Sequence, residues 1–274
     1  MTLIWDIERA GLVRFSDAIR YLESMGDRLF HEDLDSTAEV LRGLFDDRDF
    51  ISSFLQKVLI CNPEGNDYSS QVFVMHRSKY FTLRVVLWEA PQGLPGEEIF
   101  LYELPHDHDF SFFTLGYYGP GYETVVKNYD HSSVVGMPGE GVSTDGNERW
   151  LLKEQRVVFY EGGKDIHCQM PPSSLSISFN VLQDINAFGI RRRQYEFDSD
   201  FSQIRRVINV NPVSLLVRAA CALGGEGVKY VEEVASTGGE YERAVAFKAL
   251  VAMDSRYRLS ALKDESIYVR AMVL

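Results

Sequence analysis

The 274-residue chain is short of cysteine and of long apolar runs. Its three cysteines, Cys61, Cys168 and Cys221, are widely spaced and include no Cys-x-x-Cys pair. That excludes a disulfide scaffold and fits reduced thiols in a cytoplasmic protein. No stretch approaches the roughly 18 consecutive apolar residues of a spanning helix, so no membrane segment is expected. The opening Met1-Thr2-Leu3-Ile4-Trp5-Asp6-Ile7-Glu8 lacks the basic-then-apolar pattern of a signal peptide. Positive charge is scarce as well: 28 Lys and Arg stand against 40 Asp and Glu, a net charge of −12. A phosphate-tracking surface needs the opposite balance, so nucleic acid is not an expected partner. An anionic small molecule stays admissible, because a pocket can be locally basic.

What is present suits a soluble globular chain. Residues are 45% hydrophobic and 25% charged, enough for one large domain or a main domain with a helical appendage. Hydrophobic period divides the chain in three. Residues 1–66 form an N-terminal helical segment. Ile19, Leu22, Met25 and Leu29 share one helical face, a second helix starts near Asp35-Ser36-Thr37, and a third covers Phe50 to Ile60. Asn62-Pro63-Glu64-Gly65-Asn66-Asp67 then turns the chain.

Residues 67–199 change to a strand pattern. Val72 to His76, Tyr80 to Trp88, Ile99 to Tyr102, Ser111 to Tyr118, Tyr122 to Tyr129, Trp150 to Tyr160, Ile166 to Met170, Ser174 to Leu182 and Gly189 to Phe197 read as strands. Pro91, Gly93, Pro95 and Gly96 mark a loop, Gly119-Pro120-Gly121 a turn, and residues 131–147 a long loop or hairpin tip. Short strands with turns between them and no alternating helices indicate an antiparallel barrel or sandwich. Residues 200–274 return to a helical period at Ser214 to Leu223, Val228 to Ala235, Tyr241 to Met253 and Tyr268 to Val273. The end of the chain, Ala261 to Ala271, loosely resembles a HEAT-type repeat.

Chemistry concentrates at Leu104-Pro105-His106-Asp107-His108-Asp109. On a strand, His106 and His108 would present both imidazoles to one face. His167 closes another alternating apolar run. Three imidazoles are a common ligand set for a divalent metal and leave positions open for substrate. Glu123 is the candidate fourth ligand or an outer partner orienting a ring, and Tyr122 beside it is the second candidate catalytic residue, although Tyr117, Tyr118, Tyr122 and Tyr129 also read as core. Asp107 faces away from the histidines and suits a structural hydrogen bond, while Asp109 shares their face. His76, His131 and Cys168 read as ordinary packing or surface residues, and Arg191-Arg192-Arg193 as solvated charge at a strand end.

These motifs resemble the cupin superfamily over residues 70–197. The matching pieces are Pro105-His106-Asp107-His108, Gly119-Pro120-Gly121-Tyr122-Glu123 and Glu161-Gly162-Gly163-Lys164-Asp165-Ile166-His167. Within that superfamily the chain is similar to the three-histidine thiol dioxygenases of the cysteine dioxygenase type. The shared pieces there are His-Asp-His, Glu123-Thr124, Ile166-His167, and Pro172 to Asn180. The resemblance implies a cupin-type β-barrel with flanking helices, with Fe(II) held by His106, His108 and His167 and with O2 and a small-molecule substrate as reactants. Zn, Ni, Mn or Cu would suit the same imidazoles. Arg77 and Arg84 lie on strands where that family keeps a carboxylate-binding arginine. The family's serine–histidine–tyrosine relay would fall near Ser176, Ser178 and Asn180, and its crosslinking cysteine near Phe113. The relay histidine and tyrosine and the cysteine are missing, and Asn180 is left as a candidate substrate contact. What carries over is fold and metal centre.

The expected function is therefore a non-heme Fe(II) oxygenase acting on a small polar metabolite. The alternatives are a metal-dependent isomerase, lyase or hydrolase using Lewis-acid chemistry, or a non-enzymatic cupin that senses a ligand. The flanking helices would cap the barrel mouth as a lid, or form a surface for homodimerisation or carrier-protein docking.

Overall fold

The computed structural model describes residues 2–61, 71–93, 100, 102–184, 193–209 and 212–274. The turn at 62–67, Pro95, Gly96, Ile99, Arg191, Arg192 and the start of the strand expected from Gly189 lie outside the described residues. Two compact units are present: Met1–His131 with Gly141–Arg205, and Ser132–Glu140 with Arg206–Leu274.

The first unit is built on two antiparallel arrays. One is a six-stranded sheet in the order β1 (Leu3–Trp5), β7 (Val157–Tyr160), β4 (Phe112–Tyr118), β9 (Ser176–Gln183), β3 (Phe81–Trp88), β2 (Val72–Arg77). The other runs β6 (Thr144–Leu151), β5 (Glu123–Tyr129), β8 (Asp165–Gln169). Its far edge is extended by His106, which bridges to His167 of β8 on one side and to Glu196 of β10 (Tyr195–Phe197) on the other. Strand β11 (Ile204–Val207) then pairs with β10. The order β3-β9-β4-β7 against His106-β8-β5-β6 is that of a double-sheet jelly roll, the cupin-type architecture expected from the sequence.

Strand periodicity explains why the six-stranded sheet is buried on both faces. Phe81, Leu83 and Val85 of β3, Phe113 and Leu115 of β4, Val157 and Phe159 of β7, and Phe179 and Val181 of β9 form one core with the N-terminal helices. Those helices are α1 (Phe15–Met25), α2 (Leu34–Leu44) and α3 (Asp49–Cys61), which contribute Leu22, Leu41, Leu44 and Ile51 among others. Each fully buried Leu or Phe side chain contributes about 1.5–3 kcal/mol by leaving water. The alternate residues, Phe112, Val158, Tyr160 and Leu182, face the second array and pack on Tyr122, Val126, Trp150 and Leu152.

Local signals set the element ends. Helix α1 has no cap of its own; Asp47 accepts from the Phe15 N–H at 3.1 Å and from Arg14 at 2.9 Å. Helix α2 is capped by Asp33, whose side chain accepts from Ser36 N–H at 3.4 Å, just upstream of the cap expected at Asp35-Ser36-Thr37. At the turn into β5, Gly121 has φ +79°, and a Cβ there would lie 2.0 Å from the Leu152 carbonyl oxygen.

Three features depart from the expected pattern. Trp150 to Tyr160 is not one strand: β6 ends at Leu151 and β7 begins at Val157, with Gln155 at φ 72° between them. The expected loop at 131–147 already holds the start of β6 at Thr144. Strands β1 and β11 have no counterpart in the sequence reading, being too short for alternation to declare them.

The second unit is helical: α4 (Val213–Leu223), α5 (Glu226–Thr237), α6 (Glu240–Met253), α7 (Tyr257–Ala261) and α8 (Ile267–Ala271). Val217, Val231, Ala235, Val245, Ala246 and Leu250 form its core. Val135 and Met137, from the β5–β6 connection, pack with Ala244, Tyr268 and Val269. Arg243 clasps Asp264 through two 2.9 Å hydrogen bonds. No helix among the described residues is long and apolar enough to cross a membrane.

Candidate metal centre

His106 and His167 face each other across the narrow ladder between the 103–107 segment and β8. His106 N–H donates to the His167 carbonyl at 3.0 Å and His167 N–H to the His106 carbonyl at 2.9 Å. Glu103 N–H to Gln169, Asp107 N–H to the Tyr195 carbonyl and Phe197 N–H to the Pro105 carbonyl extend the ladder on both sides. His108 follows at i+2, so the three imidazoles meet inside the sandwich. Ring centroids are 4.5 Å apart for His106–His167 and 5.0 Å for each pair involving His108. One ligand nitrogen from each ring lies within 4.8 Å of the other two.

Each ring is held by identifiable neighbours. His106 Nδ1–H donates to the Leu104 carbonyl at 2.8 Å, which leaves the lone pair on Nε2. His108 Nδ1–H donates to Gln194 Oε1 at 3.3 Å, and the Gln194 amide in turn donates to Asp109. Phe110 stacks on His108 at 4.5 Å. His167 packs against the Tyr160 ring at 4.8 Å, and its Nδ1 is buried with no hydrogen-bond partner. Burial pushes all three imidazoles toward the neutral form, His108 and His167 well below the ordinary histidine range, and the positive charge of Arg84 adds to it. Neutral rings with converging lone pairs are what a divalent cation requires. The donor set and the orphaned His167 nitrogen thus fit a metal held by three histidines.

The remaining sequence candidates divide between inside and outside. Arg84 and Asn180 are cross-strand partners on β3 and β9, on the interior face. Asn180 Oδ1 accepts from Thr114 at 2.7 Å. Tyr122 is buried, its ring 4.2 Å from Trp88, and burial pushes its phenol up to about 12. Glu123 is corrected: its side chain pairs with Arg149 at 2.6 Å and is half exposed. Alternation along β5 puts Tyr122, Thr124 and Val126 inward, hence Glu123 outward, and it is neither a ligand nor an orienting partner. Arg77, the last residue of β2, is exposed and takes no part in the interior.

Asp107 makes a structural contact. It accepts from the Tyr129 hydroxyl and the Tyr195 N–H, both at 2.5 Å, and burial raises its carboxyl to about 7. Sequence reasoning missed Gln194, whose link to His108 spans two distant segments. It also missed Thr124, Trp150 and Tyr160 as interior polar residues, although the parity of β5 was available for the first. Two of the positions corresponding to the dioxygenase relay, Ser176 and Ser178, and the crosslink position, Phe113, serve the scaffold. Ser176 Oγ accepts from Gly121 N–H at 3.0 Å, Ser178 accepts from Trp88 Nε1 at 2.9 Å, and Phe113 points into the helix-covered core.

No protein-family model matches the chain, and no curated protein sequence does. Part of the chain is similar to solved structures of the DMSP lyase DddQ from Ruegeria pomeroyi DSS-3 (14% identity, TM-score 0.29, covering 44% of this chain and 50% of that one). It is similar as well to RmlC from Streptococcus suis in complex with dTDP-D-xylose (9%, 0.24, 47% and 53%). A third similar structure is Fe(II) HppE in complex with substrate (12%, 0.25, 43% and 52%). The match spans about half the length of each of these structures. The fold assignment rests on the strand order of the chain itself.

Proposed function

We propose that the chain is a metal-dependent oxygenase of cupin type acting on a small anionic metabolite. The observation that carries this reading is the set of three neutral imidazoles with converging nitrogens within 4.8 Å. No carboxylate is among them. A site with only neutral protein ligands keeps the full charge of its cation and leaves adjacent positions free for a chelating anion and a second reactant. Iron(II), when bound, would supply redox chemistry with dioxygen.

The chain's own residues account for binding and orientation. Arg84 projects its charge onto all three rings and onto Tyr122, which suits a carboxylate or phosphate of the substrate. Leu104 and the Gln194–Asp109 pair fix two of the rings. Phe110, Phe112 and Tyr160 surround His108 and His167 with apolar surface that keeps bulk water out. A thiol dioxygenase acting on cysteine is not proposed, because the relay histidine and tyrosine are missing, with Ser176, Ser178 and Asn180 at those positions.

A second reading, a metal-dependent isomerase or lyase, is favoured by one observation: the phenol of Tyr160, held protonated by burial, stands beside His167. Metal analysis of anaerobically purified protein followed by oxygen-uptake assays with chelating acids separates the two. Iron with ferrous-dependent oxygen uptake supports the oxygenase. Turnover under argon with zinc or nickel supports the second reading, and intact metal content in both His106→Ala and His167→Ala sinks both.

A further inference from the structure

The interior holds two polar groupings that differ in how they are satisfied. The first is bonded: Thr114 donates to Asn180 at 2.7 Å, Trp88 donates to Ser178 at 2.9 Å, and Tyr122 lies beside the Thr114 and Ser178 hydroxyls. The second is not. The Tyr160 hydroxyl, the Thr124 hydroxyl and the Trp150 indole N–H are buried without a hydrogen-bond partner. Their residues are 3%, 0% and 8% exposed.

The three residues are neighbours. Thr124 and Trp150 are cross-strand partners on β5 and β6. Tyr160 reaches over from the opposite sheet, its ring 5.7 Å from Trp150 and 4.8 Å from His167. Thr124 comes close enough to moderate the acidity shift of the Tyr160 phenol, yet no well-formed hydrogen bond joins them. Leaving a buried polar group unpaired costs about 1–3 kcal/mol, so a cluster of three is a standing demand for a ligand.

We propose that Trp150, Tyr160 and Thr124 form a binding site, beside the three histidines, for an oxygen acceptor of the substrate: a carbonyl or carboxylate of a small oxo or carboxylic acid. The donor inventory sets this class. An indole N–H can only donate, and a phenol carries its proton at neutral pH and can donate it. An ammonium or amide N–H would find no acceptor matching Trp150. The surrounding aromatic faces, with Phe112 stacked on Tyr160 at 4.6 Å, limit the ligand to a compact one. The inference deepens the proposed function by naming the substrate class, and it rests on that reading only for the role of the bound acid.

The test uses saturation-transfer NMR on the full metal-free chain with pyruvate, lactate and acetate as probes. Tyr160→Phe and Thr124→Val remove one hydroxyl each with little change of shape, and thermal melts confirm that both fold. The expected result is saturation transfer to at least one probe in the wild type, and affinity reduced about tenfold in each variant while the melting temperature is unchanged or raised. Equal binding in wild type and both variants overturns the site. So does no binding of any probe, or a crystal structure at saturating pyruvate in which ordered water alone pairs the three groups. Metal content measured on the same samples reports separately on the histidine centre, so loss of one reading leaves the other standing.

Discussion

His106 and His167 exchange both of their backbone hydrogen bonds, at 3.0 and 2.9 Å, while their rings meet 4.5 Å apart. The two imidazoles are thus placed by the ladder of the sheet itself, before any cation arrives. His106→Ala or His167→Ala is expected to keep the native circular dichroism spectrum and lose metal. The loss should exceed the roughly 10–100-fold typical of removing an outer partner. Equilibrium dialysis against zinc and ferrous ion measures it, and unfolding of either variant would show that the rings stabilise the fold directly.

Gln194 is the outer partner to compare with them. Its side chain accepts from His108 and donates to Asp109. Gln194→Leu removes both contacts at similar volume. Metal affinity should fall by about 10–100-fold, with full occupancy recovered at high metal concentration. An unchanged affinity would mean that Phe110 stacking alone orients the His108 ring.

Arg84 brings positive charge to the three imidazoles. Arg84→Gln is expected to weaken binding of chelating carboxylic acids to the metal-loaded protein by roughly tenfold or more, the worth of a charge-assisted hydrogen bond. Neutral ligands should bind as before. Calorimetric titration with an acid and its amide gives the contrast, and equal losses for both would assign Arg84 a structural role.

In the helical unit, the Arg243 guanidinium holds the Asp264 carboxyl below its ordinary 3.8. A carboxyl whose folded value lies below its unfolded value adds stability above the unfolded value and loses it as pH falls through the folded one. The contribution should be constant from pH 7 to about 5, begin to fall near 3.8, and vanish only once the pH has passed below the folded value. Asp264→Asn is expected to cost about 2 kcal/mol at pH 7, with a smaller gap from wild type at pH 3 than at pH 5. Urea melts at the three pH values check this, and a gap independent of pH would rule out the ion pair as its source.

Gly121 combines φ +79° with a carbonyl 2.0 Å from where a Cβ would sit. Gly121→Ala should destabilise the first unit by about 3 kcal/mol. A loss below 1 kcal/mol in chemical denaturation would show that the turn relaxes.

Much of this was legible in the residues. Alternation exposed β2, β-branched and aromatic composition exposed β3, turn signals set off β4, β5 and β9, and the i, i+2 spacing of His106 and His108 put two rings on one face. The same parity could have excluded Glu123, because Tyr122, Thr124 and Val126 take the inward positions. Gln194 and Tyr160 were invisible for another reason: their roles come from pairings between segments far apart in sequence, which no local period encodes. The stretch from Trp150 to Tyr160 looked continuous because its apolar residues are buried on either side of a turn. Gln155, at φ 72°, gives no sequence warning of that turn.

Strand β4 has no idle side. Phe113 looks toward the N-terminal helices and Phe112 toward His108 and His167. A substitution that shifts the strand to suit a new ligand also disturbs the helix packing behind it, and repair on the helical side is felt at the rings. Redesign of ligand preference should therefore begin on β6, where Trp150 alone of eight residues is buried and its neighbours are exposed or nearly so. There the interior can be reshaped one residue at a time without moving the wall that carries the helices.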